Sequence, residues 1–109
     1  MTDPIEYLRI QAGGSNKLFN MMIDTFKEEY KQDLLDIKQG IQNRNVKEMS
    51  GFAHKYKNRV IYFYPLDHDF IRTLQQMQDS EKITKSTVRQ FKQVLKYTVE
   101  LIKELKLEA

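Results

Sequence analysis

Apolar residues recur along this chain at three- and four-residue intervals in blocks separated by short polar stretches, the signature of amphipathic helices rather than strands. Phe19, Met22, Ile23, Phe26, Tyr30, Leu34, Ile37 and Ile41 keep the spacing longest, with Lys31, Asp33, Asp36 and Lys38 falling on other faces. Met49, Phe52, Ala53, Tyr56, Val60 and Phe63 form a second stripe, which predicts a helix from Val46 to about Phe63. Leu66, Phe70, Leu74 and Met77 outline a shorter helix. Val88, Phe91, Leu95, Ile102 and Leu105, with Thr98 in register, outline a last long one.

The intervening residues carry matching stop and start signals. Thr2-Asp3-Pro4 reads as a helix start, with Asp3 as cap and Pro4 at the first helical position, and predicts a short helix through about Gln11. Gly13-Gly14-Ser15 breaks it, and Ser15 or Asn16 can cap the next helix. Gly40 and Asn43-Arg44-Asn45 form a connection of the length that joins antiparallel helices, and Asn45 with Glu48 resembles a capping box. Pro65 disfavours a helical Tyr64 and separates the second stripe from the third. Asp79-Ser80-Glu81-Lys82 is a polar link. One short helix followed by four amphipathic ones predicts an all-α fold, an antiparallel up-and-down four-helix bundle occupying residues 1–109 as a single domain. Each stripe finds a partner in that arrangement, so a monomer is expected.

Composition agrees with a helical protein: 40% hydrophobic and 30% charged residues, with four glycines and two prolines among 109 residues. No run approaches the roughly 18 apolar residues of a membrane span, and no basic-then-apolar leader pattern opens the chain, so a cytoplasmic protein without a membrane partner is expected. The absence of cysteine excludes disulfide scaffolds and thiolate chemistry. A net charge of +3 with the signs interspersed does not point to nucleic acid. Gly13-Gly14 reads as a turn and not as a phosphate-cradling loop. His68 lies between Asp67 and Asp69, but adjacent side chains diverge, so no metal site is expected.

The other histidine is different. On a helix His54 projects about 150° from the centre of its apolar stripe, into water. Lys57 flanks it one turn on, and Ser50, Asn58 and Ile61 complete the surrounding surface. Lys47, Lys55, Lys57 and Arg59 supply positive charge to the neighbourhood, which favours an acidic partner. An imidazole beside a fixed cation suits a phosphoryl group.

Ala53-His54-Lys55-Tyr56-Lys57 resembles the Ala-His-x-Leu-Lys-Gly signature of histidine-containing phosphotransfer (HPt) domains, the relay modules of two-component phosphorelays. The similarity extends over nearly the whole chain, from Glu6-Tyr7-Leu8 onward. Tyr56 replaces the usual leucine, Asn58 the usual glycine, and Tyr64-Pro65 stands where a second glycine often follows. The resemblance implies a carrier without turnover of its own, which accepts a phosphoryl group on His54 from a receiver-domain aspartate and passes it to another receiver. It implies Lys57 as the group that neutralises phosphoryl charge, and Ser50, Lys55, Asn58 and Ile61 as a docking surface. Response-regulator receivers and a hybrid sensor histidine kinase are the partners so implied, with Mg²⁺ on the receiver and no cofactor on this chain. The three departures from the signature raise an alternative, an HPt-like adaptor that binds a receiver or kinase without carrying phosphate.

Overall fold

The computed structural model describes residues 3–106 and is helical throughout, with no strand among the described residues. Five helices follow in order: α1 (Pro4–Gln11), α2 (Asn16–Gln42), α3 (Val46–Val60), α4 (Asp69–Gln78) and α5 (Lys85–Glu104). The three expected N-caps form, although Asn45 and Glu48 make only one half of a capping box. Asp3 accepts the Glu6 amide at 2.8 Å, Ser15 the Leu18 amide at 3.1 Å, and Asn45 the Glu48 amide at 3.1 Å. Thr2 lies outside the described residues.

α2 contains 27 residues, about 40 Å at 1.5 Å per residue, and runs the 42 Å length of the molecule. It ends in a reversal that aims α3 back along it. The Asn45 amide reaches Gly40 O at 2.8 Å and the Arg44 amide reaches Ile41 O at 3.1 Å, with Arg44 in the left-handed region at φ 52°. Gly40 is needed for a second reason. A Cβ there would sit 2.7 Å from the Met49 backbone nitrogen, so its hydrogen lets α2 and α3 close upon each other.

α2 packs on α3, α3 on α4, α4 on α5 and α5 back on α2, while α1 rests against α5. The shared interior holds Phe26, Ile37, Met49, Ala53, Tyr56, Val60, Phe63, Phe70, Leu74, Met77, Val94 and Leu101. Its centre is aromatic. Phe26 stacks on Tyr30 at 4.9 Å and meets Phe63 edge-on at 5.4 Å, while Tyr56 meets Phe70 edge-on at 5.9 Å.

Several expectations need correction. α3 stops at Val60, short of Phe63, because Pro65 lacks an amide and excludes Tyr64 from the helical region; the chain unwinds through a turn in which the Phe63 amide reaches Val60 O at 2.9 Å. Phe63 stays in the core nonetheless. Leu66 does not join the α4 stripe: it is 73% exposed in the turn before α4, which opens at Asp69 with His68 as its cap. In α5 the buried face is Thr87, Phe91, Val94, Thr98, Leu101 and Ile102, so Val88 and Leu95 lie at its exposed margin.

Asp33 was expected on a polar face and is only 5% exposed. Arg59 of α3 pairs with it and with Glu29, bracing α2 against α3. Burial raises the Asp33 carboxyl above its ordinary value even though Arg59 acts in the opposite direction. Not every apolar residue is covered. Leu18, Met21 and Tyr62 remain exposed around a groove floored by Met22 and Phe26.

Candidate functional site

α3 holds the site residues expected from the sequence, and its core stripe is narrow and strictly periodic. Met49, Ala53, Tyr56 and Val60 are fully buried, which fixes the rotation of the helix and turns His54 to solvent. Tyr56, the departure from leucine in the motif, is a core residue with a satisfied hydroxyl. Thr98 Oγ1 donates to Val94 O at 2.7 Å, so the Tyr56 hydroxyl is the donor in its 2.6 Å bond to Thr98 Oγ1. Burial lifts the Tyr56 phenol above its usual value, so it stays protonated as that bond requires. Tyr56 therefore leaves the His54 face undisturbed.

Ser50 and Lys57 lie on the α4 side of His54. The Ser50 hydroxyl donates to the Gln78 backbone carbonyl. Lys57 is half-buried, and its Nζ donates to Gln75 Oε1 at 2.6 Å and to Gln78 Oε1 at 2.8 Å. Two of its three N–H bonds are thereby directed at α4, and one is left for an anion. The two glutamines had no distinguishing sign in the sequence. Their i, i+3 spacing puts them on one face of α4, but only the packing of α3 on α4 brings that face to Lys57. Gln75 is itself held by Asp79, its Nε2 donating to Oδ2 at 2.9 Å.

Asn58 lies one turn after His54, with its Nδ2 at 3.3 Å from His54 Nε2. In that orientation the amide donates and Nε2 accepts, which belongs to the tautomer with its proton on Nδ1. The side chain that replaces the motif glycine thus reaches into the lone pair that a phosphoryl acceptor uses. Ile61 caps α3 and is half-buried against the core, exposing only part of its side chain beside the site. Lys55 is exposed, its ammonium 5.6 Å from the Phe52 ring centroid, on the α3 flank away from α4. Arg59, grouped with these lysines by sequence, belongs to the α2 seam instead. Lys47, Lys55 and Lys57 are the cations that remain near His54.

His68 has a different occupation. Its Nδ1 accepts the Phe70 amide at 3.0 Å, and its ring packs 4.4 Å from Tyr64 and 5.7 Å from Tyr97, measured between centroids. No helix among the described residues is long and apolar enough to cross a membrane. No family model matches the chain, nor does any curated protein or solved structure.

Proposed function

We propose that this chain is a histidine phosphotransfer protein, built as an antiparallel up-and-down four-helix bundle of α2 to α5 with α1 as a short leading helix. The closed sequence of contacts from α2 to α5 and back supports the bundle. The observation that carries the function is the pairing of an exposed imidazole with a lysine whose ammonium is held by two amide oxygens and keeps one free donor. In the transfer, the lone pair of His54 Nε2 attacks the phosphorus of an aspartyl phosphate. The N–P bond forms as the P–O bond to the aspartate breaks, and the carboxylate leaves with the electron pair. Lys57 offsets charge on the phosphoryl oxygens, and the receiver supplies Mg²⁺. A second receiver reverses these steps. The protein is a carrier and not an enzyme with turnover.

The Asn58 contact favours a second reading, in which the occupied Nε2 never accepts phosphate and the chain serves as an adaptor for a receiver or kinase. One assay separates the two. Wild type, His54→Gln and His68→Gln are incubated with a panel of phosphorylated receiver domains. Acid-labile, base-stable label on wild type and His68→Gln but not on His54→Gln is expected. Label retained by a folded His54→Gln rejects the site, and binding without label on wild type selects the adaptor.

A further inference from the structure

Charges that alternate in sign along the chain are sorted by the fold. Around α2, Tyr30, Leu34 and Ile41 lie within about 40° of one another, away from the α3 side marked by Asp33 and Gly40. Lys27, Lys31 and Lys38 form a parallel row about 60° further from the core. α5 repeats the arrangement: Val88, Leu95 and Val99 lie within about 40°, and Lys85, Lys92, Lys96 and Lys103 form a row about 60° beyond them. The three apolar residues of α5 are between 37% and 50% exposed, and all seven lysines are exposed.

The two apolar strips belong to one groove. Ile41, Ile83 and Val88 line a cavity of about 400 Å³ together with Arg44 and Lys85. In the antiparallel bundle proposed above, Leu34 then lies across from Leu95 two turns along, about 10 Å away. α5 meets α2 less closely than any other neighbours in the ring of α2 to α5. The half-buried Leu34 and Ile41 therefore form a floor with a row of lysines on each bank. Lys31 leans toward it, its ammonium 6.0 Å from the Tyr30 ring centroid. None of these lysines pairs with a carboxylate among the described residues. The acids lie elsewhere: Glu29 and Asp33 hold Arg59, Asp36 accepts from Gln32, and Glu100 and Glu104 lie toward Tyr64. Asp24 is two turns from Lys31 toward the other end of α2, and Glu28 is further round on the outer face; Glu81, in the link before α5, is the acid nearest the cavity in sequence.

We propose that the α2–α5 groove docks an amphipathic helix of a partner protein, apolar along the stripe that enters the groove and rich in Asp and Glu on both flanks. Apolar sites about 10 Å apart match the i, i+7 repeat of such a helix, and the two lysine rows match its flanks. A bilayer would call for apolar side chains standing proud of the cations, whereas here they lie between and below them. The groove opposes the α3–α4 seam that holds Lys57, so the proposal does not rest on the phosphocarrier reading.

The probe is a synthetic helix of about 18 residues with leucine along one stripe and glutamate on both flanks, followed by fluorescence anisotropy; a second probe carries lysine for every glutamate. Wild type is expected to bind the acidic helix, less tightly as salt rises, and the basic helix at least tenfold more weakly. Lys38→Glu with Lys92→Glu, and separately Val88→Gln with Leu95→Gln, are each expected to weaken the acidic helix about tenfold in a protein that still unfolds cooperatively. Lys47→Glu with Lys55→Glu, an equal charge change on α3, is expected to stay within twofold of wild type. Failure of wild type to bind, equal affinity for the two probes, or an equal loss in the α3 variant overturns the groove. Self-association of wild type that Lys38→Glu with Lys92→Glu abolishes would assign the groove to a second copy. Tighter binding of phosphatidylglycerol vesicles or duplex DNA, lost in the same variant, would assign it to an anionic surface. Either result overturns the partner helix.

Discussion

Lys57→Met separates what Lys57 does for the fold from the role proposed for it at a phosphoryl group. Methionine keeps an unbranched apolar stem in the α3–α4 seam and deletes the ammonium. The bonds lost are those to Gln75 Oε1 at 2.6 Å and Gln78 Oε1 at 2.8 Å. Hydrogen bonds to a charged group net about 1.5–3 kcal/mol when fully buried, but a half-buried ammonium is partly solvated, so about 0.5–1 kcal/mol each is appropriate. Together they contribute about 1–2 kcal/mol. An unfolding entropy of about 2.1 cal/mol/K per residue gives roughly 0.23 kcal/mol/K for a chain of this length, and hence a Tm lower by about 4–9 °C.

Thermal unfolding followed by far-UV circular dichroism measures that shift, and a cycle with Gln75→Met and Gln78→Met assigns it. The shift should disappear when both glutamines are already replaced. A Lys57→Met protein that melts with wild type would refute the tie to α4. Acceptance is then measured well below either midpoint. Loss of one charge-assisted bond to the phosphoryl group, about 1.4 kcal/mol, predicts an acceptance rate about tenfold lower. An unchanged rate in a folded, destabilised variant would make Lys57 a brace and nothing more.

Gly40→Ala should destabilise by about 1–3 kcal/mol, because its Cβ would lie 2.7 Å from Met49 backbone that cannot swing aside; denaturant unfolding checks this. Asp33 has a pKa raised from 3.8, so the folded state holds its proton more tightly than the unfolded chain does. Its contribution to stability is therefore present below about pH 3.8 and is lost as pH rises through the folded value. The stability of wild type minus that of Asp33→Asn, measured across that window, should fall toward higher pH; a rise would reverse the sign. Asn58→Ala should free Nε2 and raise acceptance about twofold, the equivalent of roughly 0.5 kcal/mol for an exposed hydrogen bond. Asn58→Asp, whose carboxylate accepts a hydrogen bond from Nε2–H, should favour the opposite tautomer and slow acceptance, with ¹⁵N shifts of the ring reporting the tautomer directly.

The α3 stripe was legible because its apolar residues follow one period without competitors. On α5 the same reasoning was displaced by about one position. Val88 and Leu95 are apolar yet marginal, while Thr87, Val94 and Leu101 face the core, and a helix with apolar residues across so wide an arc does not declare its rotation. Asp33 was misplaced because its partner Arg59 is on another helix, and a charge read alone belongs to solvent. The exposure of His54 and the place of Lys57 one turn on were legible from spacing, but the grip of Gln75 and Gln78 on Lys57 is a product of packing. The end of α3 was three residues early because the influence of Pro65 extended beyond the residue immediately before it.

The residues of α3 can be assigned in turn to what holds them. Met49, Ala53, Tyr56 and Val60 fill the core, with Val46 and Phe52 packed at its edge. Glu48 donates its amide to the cap, Ser50 and Lys57 fasten α4, and Arg59 fastens α2. Lys55 leans over Phe52. Among the described residues the fold makes no use of Lys47, Gly51 or His54, and it uses Asn58 only against His54. These four share one arc of about 60°, bounded on one side by the braces to α4. A helix pinned to both neighbours presents that arc rigidly, so a partner meeting it gains affinity without first ordering the backbone. On the phosphocarrier proposal, substitutions on the arc should change transfer and binding while the unfolding midpoint holds or rises, whereas substitutions at Ser50, Lys57 or Arg59 should lower the midpoint. A stability scan of α3 set beside a labelling scan tests this division, and coincidence of the two profiles along the helix would refute it.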